Sequence, residues 1–429
     1  EIIMGHGFSV DRLEHLTAHL DKYVDDGRFP GCSCLVTRHG EEAYFHTFGR
    51  RDVDRDLAME RDTVVRIYSM SKPITSVALM MLYEEGKFQL DDPVSKFIPR
   101  WSDLNVYEHG ENGTMVTSPM TVPLTVKHLL THTSGLTYGF MNSHPVDAMY
   151  RNASIGGDRQ GSTLEDMIDD LAGIPITFTP GSRWNYSVAT DVCGYLVQLF
   201  SDTDLDVFVR ERITEPLEMN DAGYQVRSSS KDKFAACYRH KRGGGFELQD
   251  DPTTSPYHQR PTFLSGGGGM VATVDDYGRF AQMLLNRGEL DGHRILGRKT
   301  VEYMATNHMP GNVDLAAMGQ PVFSETSYHG IGFGLGFSVV LDPAAAGVLD
   351  SPGEFAWGGA ASTYFWVDPL EDMTVVFLTQ LLPSSAHPIR RELKTLIYQA
   401  IVDAASSADP WGSRRPGNAS RWRASLSGL

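Results

Sequence analysis

The chain has 429 residues, with 54 acidic and 38 basic side chains, a formal net charge of -16, 41% hydrophobic and 21% charged residues. That composition excludes disorder for most of the chain, and the length exceeds what one compact core usually holds, so two structural regions are expected. An acidic surface repels phosphate backbones and anionic lipid heads, which argues against nucleic-acid and membrane partners and leaves a small molecule as the expected one.

The four cysteines, Cys32, Cys34, Cys193 and Cys237, lack metal-ligand spacing and read as small buried side chains in a reducing compartment. Cys32 and Cys34 are expected on opposite faces of a strand and unbonded. Residues 1–10 contain no basic segment leading into an apolar run, and the apolar run 77–82 is far too short for a bilayer, so a soluble, cytoplasmic protein is expected, with its oligomeric state open.

A helix is expected from Asp11, with Leu13, Leu16 and Leu20 at helical spacing. Residues 32–38 and 43–48 read as strands of a hairpin turning at His39-Gly40. Beyond Ser69, the positions Ile74, Val77, Ala78, Met81 and Leu82 form the stripe of a core-facing helix. Pro73 falls in its first turn, where a missing N–H costs little, and Gly86 ends it. Residues 92–225 read as loops and short helices (126–130, 164–171, 192–200) with few strands. The loops 105–123 and 140–161 are expected to shape a cleft.

After the glycine run 266–269, a helix is expected over 274–286, then strands over 333–341, 354–357, 362–367 and 373–380. The last two turn through Asp368 to Asp372 and should pair antiparallel, before a final helix over 389–404. The expected class is α/β of the α+β type: an antiparallel sheet flanked by helices, with an all-helical second region. Residues 1–91 and 226–405 would form one discontinuous domain, 92–225 a mainly helical one, and 406–429 a mobile or surface-draped tail.

Ser-x-x-Lys occurs at Ser69/Lys72, Ser228/Lys231 and Ser230/Lys233. Only the first opens an apolar helix; the other two lie in a polar segment that reads as a solvated loop. Residues three apart share a helix face, so the Lys72 amine can reach the Ser69 hydroxyl. A serine hydroxyl needs a base before it attacks a carbonyl, and the helix N-terminus favours the developing negative charge.

Leu130-Thr131-His132-Thr133-Ser134-Gly135-Leu136 resembles a segment of the serine β-lactamase-like superfamily, which includes penicillin-binding proteins, class C β-lactamases, D-aminopeptidases and family VIII carboxylesterases. The resemblance covers most of the chain, implies a β-lactamase/transpeptidase-like fold, and gives His132 a structural role. It implies that Tyr186, in Pro180-Gly181-Ser182-Arg183-Trp184-Asn185-Tyr186-Ser187, shares the proton transfers with Lys72. Trp357-Gly358-Gly359 resembles the site strand of family VIII esterases, which implies an oxyanion hole from the Ser69 and Ala360 N–H groups and close backbone approach of substrate at the glycines. Ser265 to Met270 belongs to the same resemblance, and its glycines read as tight packing rather than a phosphate loop.

Two positions depart from a β-lactamase. Trp357 stands where a lysine would attract a carboxylate, and Val188 where class C enzymes place an asparagine. Both are expected to make the cleft more apolar. A charge-assisted hydrogen bond is worth about 1.5–3 kcal/mol, so an uncharged, short-chain carboxylic ester is the expected substrate, cleaved through a Ser69 acyl-enzyme without a cofactor or metal. The alternatives on the same machinery are a β-lactamase, a D-amino-acid peptidase or an acyltransferase. A noncatalytic penicillin-binding-like protein fits poorly, because Ser69, Lys72 and Tyr186 are all present.

Overall fold

The computed structural model describes residues 6–157, 159–319 and 328–403. Its centre is an eight-stranded sheet assembled from both ends of the chain, in the spatial order Ile331–Phe333, Ser338–Val340, Phe355–Gly358, Tyr364–Asp368, Met373–Leu378, Gly31–Arg38, Glu41–Asp52 and Leu57–Ala58. Neighbouring strands are antiparallel. The two ends meet where Ser33 faces Leu378 and Arg38 faces Met373.

Strand periodicity explains why this sheet is covered on both faces. Cys34, Val36, Val375 and Phe377 pack with Leu13, Leu16 and Leu20 of the helix Val10–Asp25 and with Ile389, Leu393 and Ile397 of the helix Ile389–Tyr398. Leu35, Val376 and Leu378 point the other way, toward Tyr277 and Phe280 of the helix Val274–Leu285 and Ile74 and Val77 of the helix Ser71–Glu84. Cys32 and Cys34 therefore correct the expectation of opposite faces: two residues apart, they return to the same face, and all four cysteines are buried and free.

The helix Ser71–Glu84 is buried at every position from Ser71 to Leu82. The one-sided stripe expected from its sequence is too narrow, because this helix also packs on the helix Ala189–Ser201. An apolar surface all round suits an enclosed helix.

Other differences are local. The strand expected over 333–341 divides into Ile331–Phe333 and Ser338–Val340, and the turn between them holds Gly336 at φ +108°, where a Cβ would lie 2.4 Å from Ser76 Oγ. Residues 105–123 are not a loop: Asn105–His109 and Val116–Pro119 pair as a hairpin. The last helix ends at Tyr398, and the tail 406–429 lies outside the described residues. A smaller sheet holds Cys237–His240 between Leu381–Leu382, which is parallel to it, and Phe246–Asp250, which is antiparallel. No helix among the described residues is long and apolar enough to cross a membrane.

The helix Ile389–Tyr398 is tied to the sheet by buried charge. Lys394 Nζ lies 2.8 Å from Asp350 Oδ2 and 3.0 Å from Glu354 Oε2. Burial, reinforced by Asp350, pushes the Glu354 carboxyl well up against the opposing pull of Lys394. Lys394→Met removes that ammonium and is expected to cost about 3–5 kcal/mol in urea unfolding. Without that opposing pull the Glu354 carboxyl would stand still further above its unfolded value, so the stability present at low pH is lost as pH rises. The deficit should be larger at about pH 8 than at about pH 5, and equal deficits would contradict the assignment.

Candidate active site

Ser69 lies in the 3₁₀ turn Tyr68–Met70 that runs into the helix Ser71–Glu84. Tyr68 takes φ +42°, a left-handed conformation that a bulky residue adopts only where its surroundings enforce it. Ser69 is partly exposed, whereas Lys72 is only 1% exposed. Lys72 Nζ donates to Ser69 Oγ at 3.2 Å, to Tyr138 Oη at 2.8 Å and to the Gly267 carbonyl at 2.7 Å. A buried amine without partners would be costly, and here three acceptors hold it in place.

Tyr186 comes from the segment just before the helix Ala189–Ser201, and its hydroxyl donates to Ser69 Oγ at 2.6 Å. Rings surround it: His132 at 5.1 Å, Tyr138 at 5.2 Å and Trp357 at 5.3 Å between centroids. His132 is not a partner of Ser69. Its Nδ1 lies 3.1 Å from Ser187 Oγ, and burial, with Lys72 nearby, pushes its imidazole well below the usual range. Neutral and enclosed, it backs Tyr186.

The site strand Phe355–Gly358 ends beside the serine. A Cβ on Gly359 would lie 2.4 Å from the Ile67 carbonyl, two residues before Ser69, and one on Gly358 would lie 2.3 Å from Arg390 Nη2. The absent side chains thus admit Ile67 and Arg390, and the backbone of both glycines also lines the cavity that Ser69 opens into. Arg390 donates to the Gly359 and Thr363 carbonyls at 3.0 and 3.1 Å, fixing the turn that carries Ala360. The Ala360 N–H has no hydrogen-bond partner among the described residues, and Ala360 shares a cavity with Ser69.

That cavity measures about 970 Å³. Phe140, Gly156, Gly157 and Gly161 line it, so the stretch 140–161 reaches the cleft, whereas no residue of 105–123 does. Val188 requires a correction: it is 1% exposed and packs in the main core instead of lining the cavity. Trp357 is likewise not a lining residue; its ring packs on Tyr186 and Phe333. Its contact with the site is the one it makes with the Tyr186 ring, which does line the cavity. The other two Ser-x-x-Lys pairs lie in the 3₁₀ segment Ser228–Lys233, where Ser230 bonds Asp221 and Lys233 pairs with Asp62.

Three contributors escaped sequence reasoning. Tyr138, two residues past the Leu130–Leu136 segment, holds Lys72. Gly267, inside the glycine run, supplies a carbonyl to the same amine. Asp191 accepts from the Gly267 N–H at 2.9 Å and Ser265 Oγ at 2.6 Å, and so holds that peptide in place. Burial raises the Asp191 carboxyl above its usual range.

A serine bracketed by a lysine and a tyrosine, on a sheet flanked by helices, defines the class. The chain belongs to the Beta-lactamase family, whose model matches residues 16–399, and its fold is that of the serine β-lactamase and penicillin-binding-protein superfamily. It is similar to Protein Rv1367c of Mycobacterium tuberculosis (34% identical, covering 86% of this chain and 90% of that one). It is also similar to Esterase EstB of Burkholderia gladioli (29% identical, 91% and 97% covered). Among solved structures it resembles EstCE1, a hydrolase with promiscuous acyltransferase activity, with 26% identity, a TM-score of 0.75, and 92% and 99% of the two chains covered. The protein is thus a serine-hydrolase-fold enzyme related to esterases and acyltransferases.

Gly359→Ala tests the contact between the site strand and the turn before Ser69. It is expected to cost about 1–3 kcal/mol in thermal unfolding and to lower kcat/KM; a variant as stable and active as wild type would contradict the contact.

Proposed function

We propose that this enzyme transfers the acyl group of a carboxylic ester through Ser69 to a hydroxyl acceptor, either an alcohol or water. The observation that carries this reading is the bracketing of Ser69 Oγ by Tyr186 at 2.6 Å and Lys72 at 3.2 Å. Tyr186, reacting as the phenolate beside the Lys72 ammonium, takes the proton from Ser69 as Oγ attacks the ester carbonyl, then returns it to the departing alkoxide. Lys72 holds Ser69 Oγ in line. The Ser69 and Ala360 N–H groups receive the carbonyl oxygen as it becomes an oxyanion. In the second half-reaction the acceptor gives its proton to Tyr186 and attacks the acyl carbonyl, and Tyr186 passes that proton to Ser69 Oγ as the acyl–oxygen bond breaks.

An alcohol acceptor is favoured by space. At about 970 Å³ the cavity is large for one short ester and has room for an acyl group and an organic acceptor together. Tyr138, Phe140, Tyr257 and Phe263 on its wall suit organic groups better than bulk water. Similarity to Monacolin J acid methylbutanoyltransferase of Aspergillus terreus (26% identical over 402 residues) supports the transferase side, and similarity to Esterase EstB the hydrolase side. Trp357 leaves that strand without a charge to offer a carboxylate.

The test is product analysis with p-nitrophenyl butyrate in the presence of 1-butanol. Wild type should yield butyl butyrate alongside butyrate, and Ser69→Ala should yield neither. Tyr186→Phe should lower kcat by about 10²–10⁴-fold. Ester turnover that survives Ser69→Ala would remove the proposed nucleophile, and nitrocefin turnover matching that of the ester would overturn the substrate class.

A further inference from the structure

The cavity wall is basic although the protein is acidic. Arg159, Arg239 and Arg390 line it against one carboxylate, Asp191, while the chain as a whole carries a net charge of -16. Asp191 is buried and engaged by Ser265 and Gly267. Arg159 pairs with Asp170 at 3.1 Å, and Arg390 is committed to the Gly359 and Thr363 carbonyls. Arg239 differs from both: its guanidinium has no ion-pair or hydrogen-bond partner among the described residues.

The position of Arg239 is set by strand geometry. It lies two residues after Cys237 on the strand Cys237–His240, so the two side chains leave the same face. Cys237 packs there with Ala361 and Leu382, against Tyr68 and Ala360. Leu382 is also the residue paired with Arg239 across the parallel strands. Arg239 therefore stands on the wall that carries Ala360 and lines the same cavity as Ser69.

We propose that Arg239 binds a carboxylate of the substrate, so that the preferred substrate is an ester bearing a free carboxylate on its acyl or its alcohol portion. This rests on acyl transfer by Ser69 and replaces the uncharged ester inferred from Trp357: the cation missing from the site strand is supplied by another element. An arginine suits the task because its planar fork matches a carboxylate and its charge is permanent. Asp191, the acidic residue on the cavity wall, is engaged elsewhere, and Glu247, opposite Arg239 on the neighbouring strand, does not line the cavity.

The experiment compares matched ester pairs with the full-length enzyme. The acyl arm is p-nitrophenyl hexanoate against mono-p-nitrophenyl adipate; the alcohol arm is phenyl butyrate against 4-carboxyphenyl butyrate. In at least one arm wild type should favour the carboxylate ester in kcat/KM, and added salt should weaken that preference. Arg239→Gln should reduce the ratio at least tenfold, Arg239→Lys should retain most of it, and Arg239→Glu should invert it. An unchanged ratio in Arg239→Gln in both arms would overturn the proposal. Failure of the underlying reading would look different: hexanoate turnover would then survive Ser69→Ala.

Discussion

The Lys72 amine lies beneath Ser69 with almost no access to water, and a buried amine is tolerated only where acceptors meet it. The Ser69 hydroxyl, the Tyr138 hydroxyl and the Gly267 carbonyl do so, and they come from three separate parts of the chain. Satisfying that one nitrogen therefore brings Ser69, the segment around Tyr138 and the glycine run to a common point. Asp191 extends the arrangement by holding the Gly267 peptide from behind.

The opposite wall depends on the last helix. Arg390 binds two carbonyls around Ala360, and one turn later Lys394 anchors the same helix to Asp350 and Glu354. The side chain of Arg390 occupies the place a Cβ on Gly358 would take, and the Ile67 carbonyl crowds the equivalent place at Gly359. Rigid support of this kind suits the proposed role of the Ala360 N–H, because an oxyanion donor acts through precise placement.

How much of this could be read in the sequence follows from distance along the chain. The Ser69–Lys72 contact spans three residues, and helix periodicity converts that spacing directly into proximity. Tyr186 lies 117 residues from Ser69, so local rules cannot select it among 17 tyrosines; the Pro180–Ser187 resemblance did. Gly267 is 195 residues from Lys72 and contributes a carbonyl, which has no side-chain signature. The hairpin Asn105–His109 with Val116–Pro119 was missed because most of its residues are exposed and polar, leaving no apolar alternation to detect. Val188 shows the converse error, since a position carried over from relatives need not present its side chain to the cleft.

The central claim is that Ser69 carries the acyl group between donor and acceptor. Rapid acid quench of the enzyme during turnover of p-nitrophenyl butyrate, followed by peptide mass spectrometry, tests it most directly. The account predicts one butyryl group on the peptide containing Ser69, absent from Ser69→Ala and depleted when 1-butanol is present. A butyryl group on any other residue, with Ser69 unmodified, would contradict it.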